Sequence, residues 1–271
     1  MGPTPVTAAP RYSRLVDVVG SAGWNVVCEV SDGPVPVDGL AAALALGRHE
    51  HVAVVGGGGK TTIVHALAQQ LRGSRIVTTT TKMGYDQQRA LLVVLAPTGD
   101  DGADERVVAA AVPDGAVMAW RSIEGTRAIG VAPEACDRWF ERVDHVLVEA
   151  DGSRRRPFKA PGPNEPVVPS TTTVMVSVIG ADALGAVIAD GCHRPLVVAE
   201  LAGCDPDDRL TPERAARVLL HERGQRRACP DGARLVVAMT KVGPTNIDLV
   251  AAVVAAVDGA VPVLMIALER A

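Results

Sequence analysis

Four consecutive glycines followed by a lysine and two threonines form the stretch of this sequence whose residue types best suit chemistry. Glycine has no Cβ, so the backbone N–H groups of such a run can wrap closely around a polyphosphate. The lysine would reach the β- and γ-phosphates of a nucleotide, and the first threonine hydroxyl would ligate Mg²⁺. The stretch therefore predicts a phosphate-binding loop made by Gly56, Gly57, Gly58, Gly59, Lys60, Thr61 and Thr62.

The residues on both sides of this loop predict the elements that must position it. Residues 52–55 are an apolar, valine-rich run that is typical of a buried strand. After the loop, Ile63, Leu67 and Leu71 have the spacing of one face of a helix. The start of that helix would add unsatisfied N–H groups and the positive end of its dipole to the loop.

The loop departs at one position from the common P-loop pattern, G-x-x-x-x-G-K-[ST], because Val54 stands where that pattern has its first glycine. The shorter pattern that remains, G-x-x-G-K-T-T, resembles the ATP loop of the Mur-type amide ligases and folylpolyglutamate synthases. A flexible glycine turn before a helix is the alternative interpretation. We favour the phosphate loop, since a preceding strand and a following helix are the context that the motif requires.

Strands and helices are predicted to alternate along most of the chain. This pattern indicates an α/β, P-loop-like, doubly wound and mostly parallel sheet with helices on both faces. Residues 1–37 are predicted to form a partly ordered N-terminal extension, with a helix over residues 11–20, and residues 38–271 the nucleotide-binding domain. Ligands of such sheets bind outside the carboxyl ends of the strands, so polar residues that follow strands should converge on the loop.

A threonine run and a lysine end the next predicted strand, residues 75–81. Thr81 and Lys82 would then lie near the γ-phosphate, where a second cation stabilises the charge that develops in phosphoryl transfer. The alternative is that these threonines only reflect the preference of β-branched residues for strands.

Two carboxylates end another predicted strand, residues 144–149. An apolar strand that ends in acids is the Walker-B arrangement, in which one acid holds Mg²⁺ directly or through water. Like charges this close repel each other unless a cation lies between them, which favours a metal site. We therefore predict Thr61, Glu149 and Asp151 as metal ligands, with solvated carboxylates in a turn as the alternative.

A proline- and glycine-rich loop, residues 152–169, carries a run of cations directly after those carboxylates. Long loops in compact domains are often functional. The cations would clamp a small anionic second substrate or face the transferring group, whereas a solvated charged surface is the alternative. His193 is predicted as a further substrate contact, and Cys192 beside it as a buried thiol rather than a reactive one. The predicted substrate residues are Thr81, Arg155, Arg156, Lys159 and His193.

A segment near the C-terminus, residues 239–243, stands where GTPases carry the guanine-reading motif N-K-x-D. Thr240 replaces the asparagine and Gly243 the aspartate, so guanine would lack its acceptor. We therefore predict ATP with Mg²⁺ as the ligand, and GTP as the alternative.

Composition argues against several other classes of protein. The net charge of −4 and the pI near 5.9 give no reason to expect binding to nucleic acid or to a membrane surface. The five cysteines lie far apart, which favours reduced thiols in a cytoplasmic protein over a zinc site or a disulfide framework. The apolar residues 249–268 are interrupted by a proline and a glycine, as in a helix, a turn and a strand. Only four of the 27 basic residues are lysines, and each lies beside a candidate motif.

Several motifs, taken together and in this order, resemble the YqeC family. The resemblance runs from about Leu40 to the C-terminus. It implies a nucleotide-binding accessory protein in the maturation of molybdenum hydroxylases, including those that need selenium, with a client hydroxylase or its cofactor-assembly proteins as partners. The motifs are Gly56-x-Gly58-Gly59-Lys60-Thr61-Thr62, Thr78-Thr-Thr-Thr-Lys82, Val148-Glu-Ala-Asp-Gly152, Arg156-Pro-Phe-Lys-Ala-Pro161, Glu165-Pro-Val-Val-Pro169, Val178-Ile-Gly-Ala-Asp-Ala-Leu-Gly185 and His193-Arg-Pro195.

These observations predict a protein that binds Mg·ATP and cleaves or transfers its γ-phosphate. Two alternatives stay open. One is a Mur-like ATP-dependent ligase that forms an acyl phosphate, although the chain lacks room for the further domains of those enzymes. The other is a nucleotide-gated chaperone or scaffold with little turnover. The predicted catalytic residues are Lys60, Lys82, Asp151 and Arg154.

Overall fold

A nine-stranded, mostly parallel sheet is the centre of the protein. We describe it from a computed structural model, which covers residues 25–28 and 39–267. The helix predicted over residues 11–20 lies outside the described residues, as does most of the predicted N-terminal extension. Within the described ranges, no helix is both long and apolar enough to span a membrane.

The strands and helices are numbered separately, in chain order. The strands are β1 (Asn25–Cys28), β2 (Glu50–Gly56), β3 (Arg75–Thr79), β4 (Lys82–Gly84), β5 (Leu92–Leu95), β6 (Ala116–Trp120), β7 (Ser122–Glu124), β8 (Arg127–Ile129), β9 (His145–Glu149), β10 (Phe158–Lys159), β11 (Val174–Gly180), β12 (Cys192–His193), β13 (Arg234–Thr240) and β14 (Val263–Ala267). The helices are α1 (Leu40–Ala43), α2 (Lys60–Gln70), α3 (Ala103–Ala110), α4 (Pro133–Phe140), α5 (Ile188–Gly191), α6 (Pro195–Ala202), α7 (Pro212–Leu220) and α8 (Ile247–Val257).

Strand β2, which precedes the glycine loop, lies in the middle of the sheet. The strand order is β1-β14-β13-β11-β2-β9-β3-β6-β5, and every neighbouring pair is parallel except β1 with β14. In this register Val54 of β2 lies beside Glu149 of β9. The carboxyl ends of β2, β3, β9, β11 and β13 therefore meet at one edge, where the sequence places its candidate residues.

The core lies on both faces of this sheet because successive side chains of a strand point to opposite sides. Val52 and Val54 pack with α1 and α2 on one face. Ala53 and Val55 pack with α3 and α4 on the other face, where α6, α7 and α8 cover the neighbouring strands. The arrangement confirms the predicted α/β, doubly wound sheet with helices on both faces.

A small sheet was not predicted. Strands β4, β8 and β7 pair antiparallel in that order, beside the carboxyl edge of the main sheet. Each has only three residues, too few for a two-residue repeat to be recognised. Helix α6 was also missed, and the predicted loop 152–169 contains the short strand β10. Thr211 caps the start of α7, and its Oγ1 accepts from the Arg214 N–H at 3.3 Å.

Candidate functional site

The glycine loop joins the carboxyl end of β2 to α2, and its backbone conformation needs glycine. The φ angles of Gly56, Gly58 and Gly59 are +94°, +86° and +135°, values that residues with a Cβ rarely adopt. A Cβ on Gly56 would overlap the carbonyl oxygen of Val178, and one on Gly58 would overlap the nitrogen of Gly180. The loop can therefore lie against β11 only because these positions carry no side chain.

The loop leaves a row of backbone N–H groups available to an anion. Gly56 N donates to Asp151 Oδ2 at 3.0 Å, and Gly57 N donates to Val178 O at 2.9 Å. The N–H groups of residues 58–62, which follow, donate to no acceptor within the described parts of the chain. Because α2 begins at Lys60, the last three of these groups also lie at the positive end of the helix dipole. Free amides at a helix start are the arrangement with which proteins bind phosphate.

Three side chains meet beside this row of amides. Thr61 Oγ1 donates to Glu149 Oε2 at 2.8 Å, and Lys60 Nζ lies 3.6 Å from Glu149 Oε1. Lys60 Nζ also donates to Gly56 O at 2.8 Å. Burial by itself would lower the pKa of Lys60, but the carboxylates of Asp151 and Glu149 outweigh it and raise that pKa. The buried amine therefore stays charged.

The oxygens of Thr61 and Glu149 are of the kind that Mg²⁺ prefers. Among the described residues, no group of three or more His, Cys, Asp or Glu could hold a metal ion. Magnesium usually keeps several waters and takes one or two protein carboxylates together with substrate phosphates. One hydroxyl and one carboxylate next to free amides therefore fit magnesium that arrives with a polyphosphate, and not a metal bound by protein alone.

Asp151 lies behind the loop rather than in front of it. Its Oδ2 accepts from Gly56 N and lies 3.0 Å from Lys159 Nζ. Its Oδ1 is buried and lies 3.3 Å from Lys60 Nζ, without a hydrogen bond to any described residue. The structure thus places Asp151 where it fixes the start of the loop and the lysine, and not among the residues that line the cleft.

Lys159, predicted as a substrate contact, is completely buried. Its Nζ bonds to Gly152 O at 2.7 Å and to Glu165 Oε2 at 2.8 Å, besides its contact with Asp151. Glu165 also binds Arg194 Nη1 at 2.7 Å. Two hydrogen bonds and an ion pair therefore hold the buried ammonium group of Lys159 within the protein, away from the cleft.

A cleft of about 1190 Å³ opens in front of the loop. Its floor is the loop and Glu149, one wall is the small sheet with the turn after β4, and the other wall is the segment after β9 together with His193 and Arg194. Seven of the lining residues are Lys or Arg and three are Asp or Glu, whereas the whole chain carries a net charge of −4. The lining of the cleft is therefore locally positive although the whole chain is negative, and a positive lining favours an anionic ligand.

The cleft brings together most of the residues predicted from the sequence. Gly56, Gly57 and Asp151 lie behind it, Lys159 is buried, and Arg156 points away, with its guanidinium bonded to Asp190 O. The predicted residues that line it are Gly58, Gly59, Lys60, Thr61, Thr62, Thr81, Lys82, Glu149, Arg154, Arg155 and His193.

Eleven lining residues were not among the predicted site residues, and Gln87, Arg127, Glu165 and Arg194 are four of them. Gln87 Oε1 lies 2.9 Å from Thr61 Oγ1, but Gln87 belongs to a short turn after β4 that has no sequence signature. Arg127 begins a strand of the small sheet that was not predicted. Glu165 and Arg194 stand inside two of the motifs that carry the family resemblance, and those motifs are the sequence feature that marks them.

His193 and Thr240, which were also singled out from the sequence, both lie close to the glycine loop or its cleft. Burial and the nearby charges of Arg194, Lys159 and Arg154 lower the pKa of His193 to about 4, so this imidazole is neutral at pH 7. Thr240 Oγ1 binds Gly58 O and also Ile179 O, the latter at 3.2 Å, and so ties the glycine loop to the end of β13.

Comparison with known proteins identifies the family. The model of the YqeC protein family matches residues 52–196, which include the glycine loop, Glu149 and Arg194. The uncharacterized protein YqeC of Escherichia coli strain K12 is 31% identical over 209 residues, 74% of this chain and 80% of that protein. No solved structure matches the chain. The resemblance seen in the sequence motifs is thereby confirmed, and the chain belongs to the YqeC family.

Proposed function

We propose that this protein binds a nucleoside triphosphate with Mg²⁺ in the cleft, with ATP as the expected nucleotide and GTP as the alternative. One observation carries the proposal: the hydrogen bond from Thr61 to Glu149, next to Lys60 and the free amides of residues 58–62. A glycine turn with a purely structural role would not need a buried lysine, a hydroxyl and a carboxylate gathered at a row of free N–H groups.

The protein's own groups have separate roles in this proposal. The amides of residues 58–62 bind phosphate oxygens, and Lys60 leaves its contacts with the carboxylates to bind the β- and γ-phosphates. Thr61 and Glu149 hold Mg²⁺, which neutralises phosphate charge when it is bound. Asp151 keeps Gly56 and Lys60 in place from behind. Lys82 on the opposite wall would stabilise charge on a transferring γ-phosphoryl group, so that catalysis would depend on position and charge.

We further propose, on the basis of the family resemblance, that the nucleotide serves the maturation of molybdenum hydroxylases, including selenium-dependent ones. A client hydroxylase, produced with and without this protein, tests the proposal through its specific activity and its content of molybdenum and selenium. Equal activity and equal metal content in both preparations would contradict this role and leave nucleotide binding unaffected.

Nucleotide binding is tested by calorimetry with Mg·ATP and Mg·GTP on the wild type and on Lys60→Met. A charge-assisted contact to phosphate is worth about 1.5–3 kcal/mol, so the variant should bind about 10- to 100-fold more weakly. Arg48→Met is the matched control, because Arg48 is exposed and lies outside the cleft lining. Circular dichroism and thermal unfolding check that the variants are folded. Equal affinity of the wild type and Lys60→Met would overturn the proposal.

Hydrolysis is a separate measurement. Magnesium-dependent phosphate release that the wild type shows and Lys60→Met lacks would establish an enzyme. Tight binding without release would favour the nucleotide-gated scaffold.

A further inference from the structure

The two walls of the cleft carry four exposed cations. Lys82 and Arg127 stand on the small sheet, on its paired strands β4 and β8. Arg154 and Arg155 stand on the opposite wall, in the segment after β9. None of the four makes an ion pair within residues 25–28 and 39–267, whereas Lys60 contacts Glu149 and Asp151. Positive charge is therefore available beyond that of the glycine loop.

The backbone is unusual at four cations of the cleft, two of which, Arg154 and Arg155, belong to the unpaired set. Arg154 and Arg155 have φ of +51° and +62°, and Arg194 and Lys241 have φ of +59° and +58°. All four line the cleft. Residues with long side chains are disfavoured in this region, and those that occupy it concentrate at functional sites. The fold thus keeps four cations at the cleft in a conformation that glycine would adopt more easily.

Charge and volume indicate room for a second anion. The lining carries seven Lys and Arg against three Asp and Glu, and His193 adds no charge because its pKa is lowered to about 4. Lys241 is already paired with Asp182, Lys60 with Asp151 and Glu149, and Arg194 with Glu165, so the charge left for ligands is that of the four unpaired cations. A nucleoside triphosphate has about four negative charges and Mg²⁺ cancels two, so roughly two of those four positive charges remain unmatched. The cleft of about 1190 Å³ also exceeds the roughly 300–1000 Å³ of a usual small-molecule site.

We propose that the cleft also binds a second substrate that carries a phosphate monoester, held between Lys82 and Arg127 on one wall and Arg154 and Arg155 on the other. The proposal rests on the proposed function, since it places this phosphate beside a nucleotide on the glycine loop. A phosphate monoester carries about −1.5 to −2 at pH 7, which matches the remaining charge, whereas a carboxylate carries −1. The planar fork of arginine also matches phosphate oxygens.

The test uses the full chain saturated with Mg²⁺ and the non-hydrolysable analogue adenosine 5′-(β,γ-imido)triphosphate. Inorganic phosphate, phenyl phosphate and acetate are titrated in turn, with ³¹P NMR for the phosphates and calorimetry for all three. Both phosphates should bind to the analogue-loaded wild type, and acetate should not. Arg155→Gln and Arg127→Gln should each weaken phosphate binding by about tenfold, since each removes a charge-assisted contact. Arg121→Gln, an exposed residue outside the cleft lining, should not.

Two results would overturn the second site. One is the absence of phosphate binding to the loaded wild type. The other is that the arginine variants weaken the analogue as much as they weaken phosphate, which would assign these arginines to the nucleotide. Failure of the proposed function is distinguishable, because the analogue would then give no heat with the wild type. In that case the nucleotide-free chain is titrated with phosphate, and dependence on Arg155 and Arg127 still reports the second site.

Discussion

The ammonium group of Lys159 lies 3.0 Å from Asp151 Oδ2, and both side chains are buried directly behind the glycine loop. The same carboxylate oxygen accepts from Gly56 N at 3.0 Å. Lys159 therefore neutralises the residue that holds the first glycine of the loop. The pair explains why a lysine and an aspartate that read as ligand-binding residues in the sequence lie out of reach of a ligand.

Replacing Lys159 by methionine should destabilise the protein by about 3 kcal/mol, because removal of one partner leaves buried carboxylates without compensation. Lys82→Met is the matched control. Lys82 is exposed and makes no ion pair within the described ranges, so its loss should change stability by about 0.5 kcal/mol or less. Urea unfolding monitored by circular dichroism measures both. Equal losses in the two variants would show that the buried pair contributes nothing to stability.

Replacing Gly58 by alanine should damage the loop beyond the cost of its φ angle. Gly58 and Gly99 have similar φ, +86° and +82°, but a Cβ on Gly58 would overlap Gly180, whereas a Cβ on Gly99 would meet nothing within 4 Å. Gly99→Ala should cost about 1–2 kcal/mol, which is the conformational term alone. Gly58→Ala should cost about 1–3 kcal/mol more because of the overlap.

The same pair of variants separates stability from binding. Nucleotide affinity, measured by calorimetry at a temperature where both variants are folded, should fall in Gly58→Ala and stay unchanged in Gly99→Ala. A loss of stability equal in the two variants would mean that β11 moves to accept the new methyl group.

The site is best predicted from the sequence where its residues are close together in the chain. Strand β2, the glycine loop and α2 are neighbours in the chain, so residue types alone locate the loop and bring Lys60 to Gly56. Contacts between distant segments leave no such pattern. Arg127 lies at the cleft on β8, which pairs with β4, and Lys159 is buried on β10, which pairs with β12. A charged residue in a loop reads as exposed until its partners are known.

Replacing Thr61 should affect the dependence of nucleotide binding on magnesium. Thr61→Ala removes the hydroxyl that bonds to Glu149 at 2.8 Å, whereas Thr61→Ser keeps it. In Thr61→Ala the gain in ATP affinity on adding Mg²⁺ should fall by about tenfold, the value of one charge-assisted contact. Thr61→Ser should retain most of that gain. Calorimetry with and without EDTA measures the gain, and an unchanged gain in Thr61→Ala would exclude this hydroxyl as a magnesium ligand.

Glu165 should make stability depend on pH in acid. Burial alone would raise the pKa of Glu165, but hydrogen bonds from Arg194 and Lys159 outweigh it and lower that pKa from 4.5 to about 2. Between these two values the unfolded chain binds a proton that the folded chain does not bind. The contribution of Glu165, up to about 3 kcal/mol, is therefore complete above pH 4.5 and is lost as the pH falls toward 2.

The comparison of the wild type with Glu165→Gln reports this effect together with a smaller change at His193, whose pKa the charge of Glu165 raises. At pH 6 the variant should be less stable by about 2–3 kcal/mol in urea unfolding, and at pH 3 this difference should shrink by about 2 kcal/mol. A difference that stays constant between pH 6 and pH 3 would mean that the Arg194 and Lys159 contacts do not favour the ionised carboxylate. Asp151, whose Oδ2 lies 3.0 Å from Lys159 Nζ, would then be the carboxylate that balances the charge of the buried lysine.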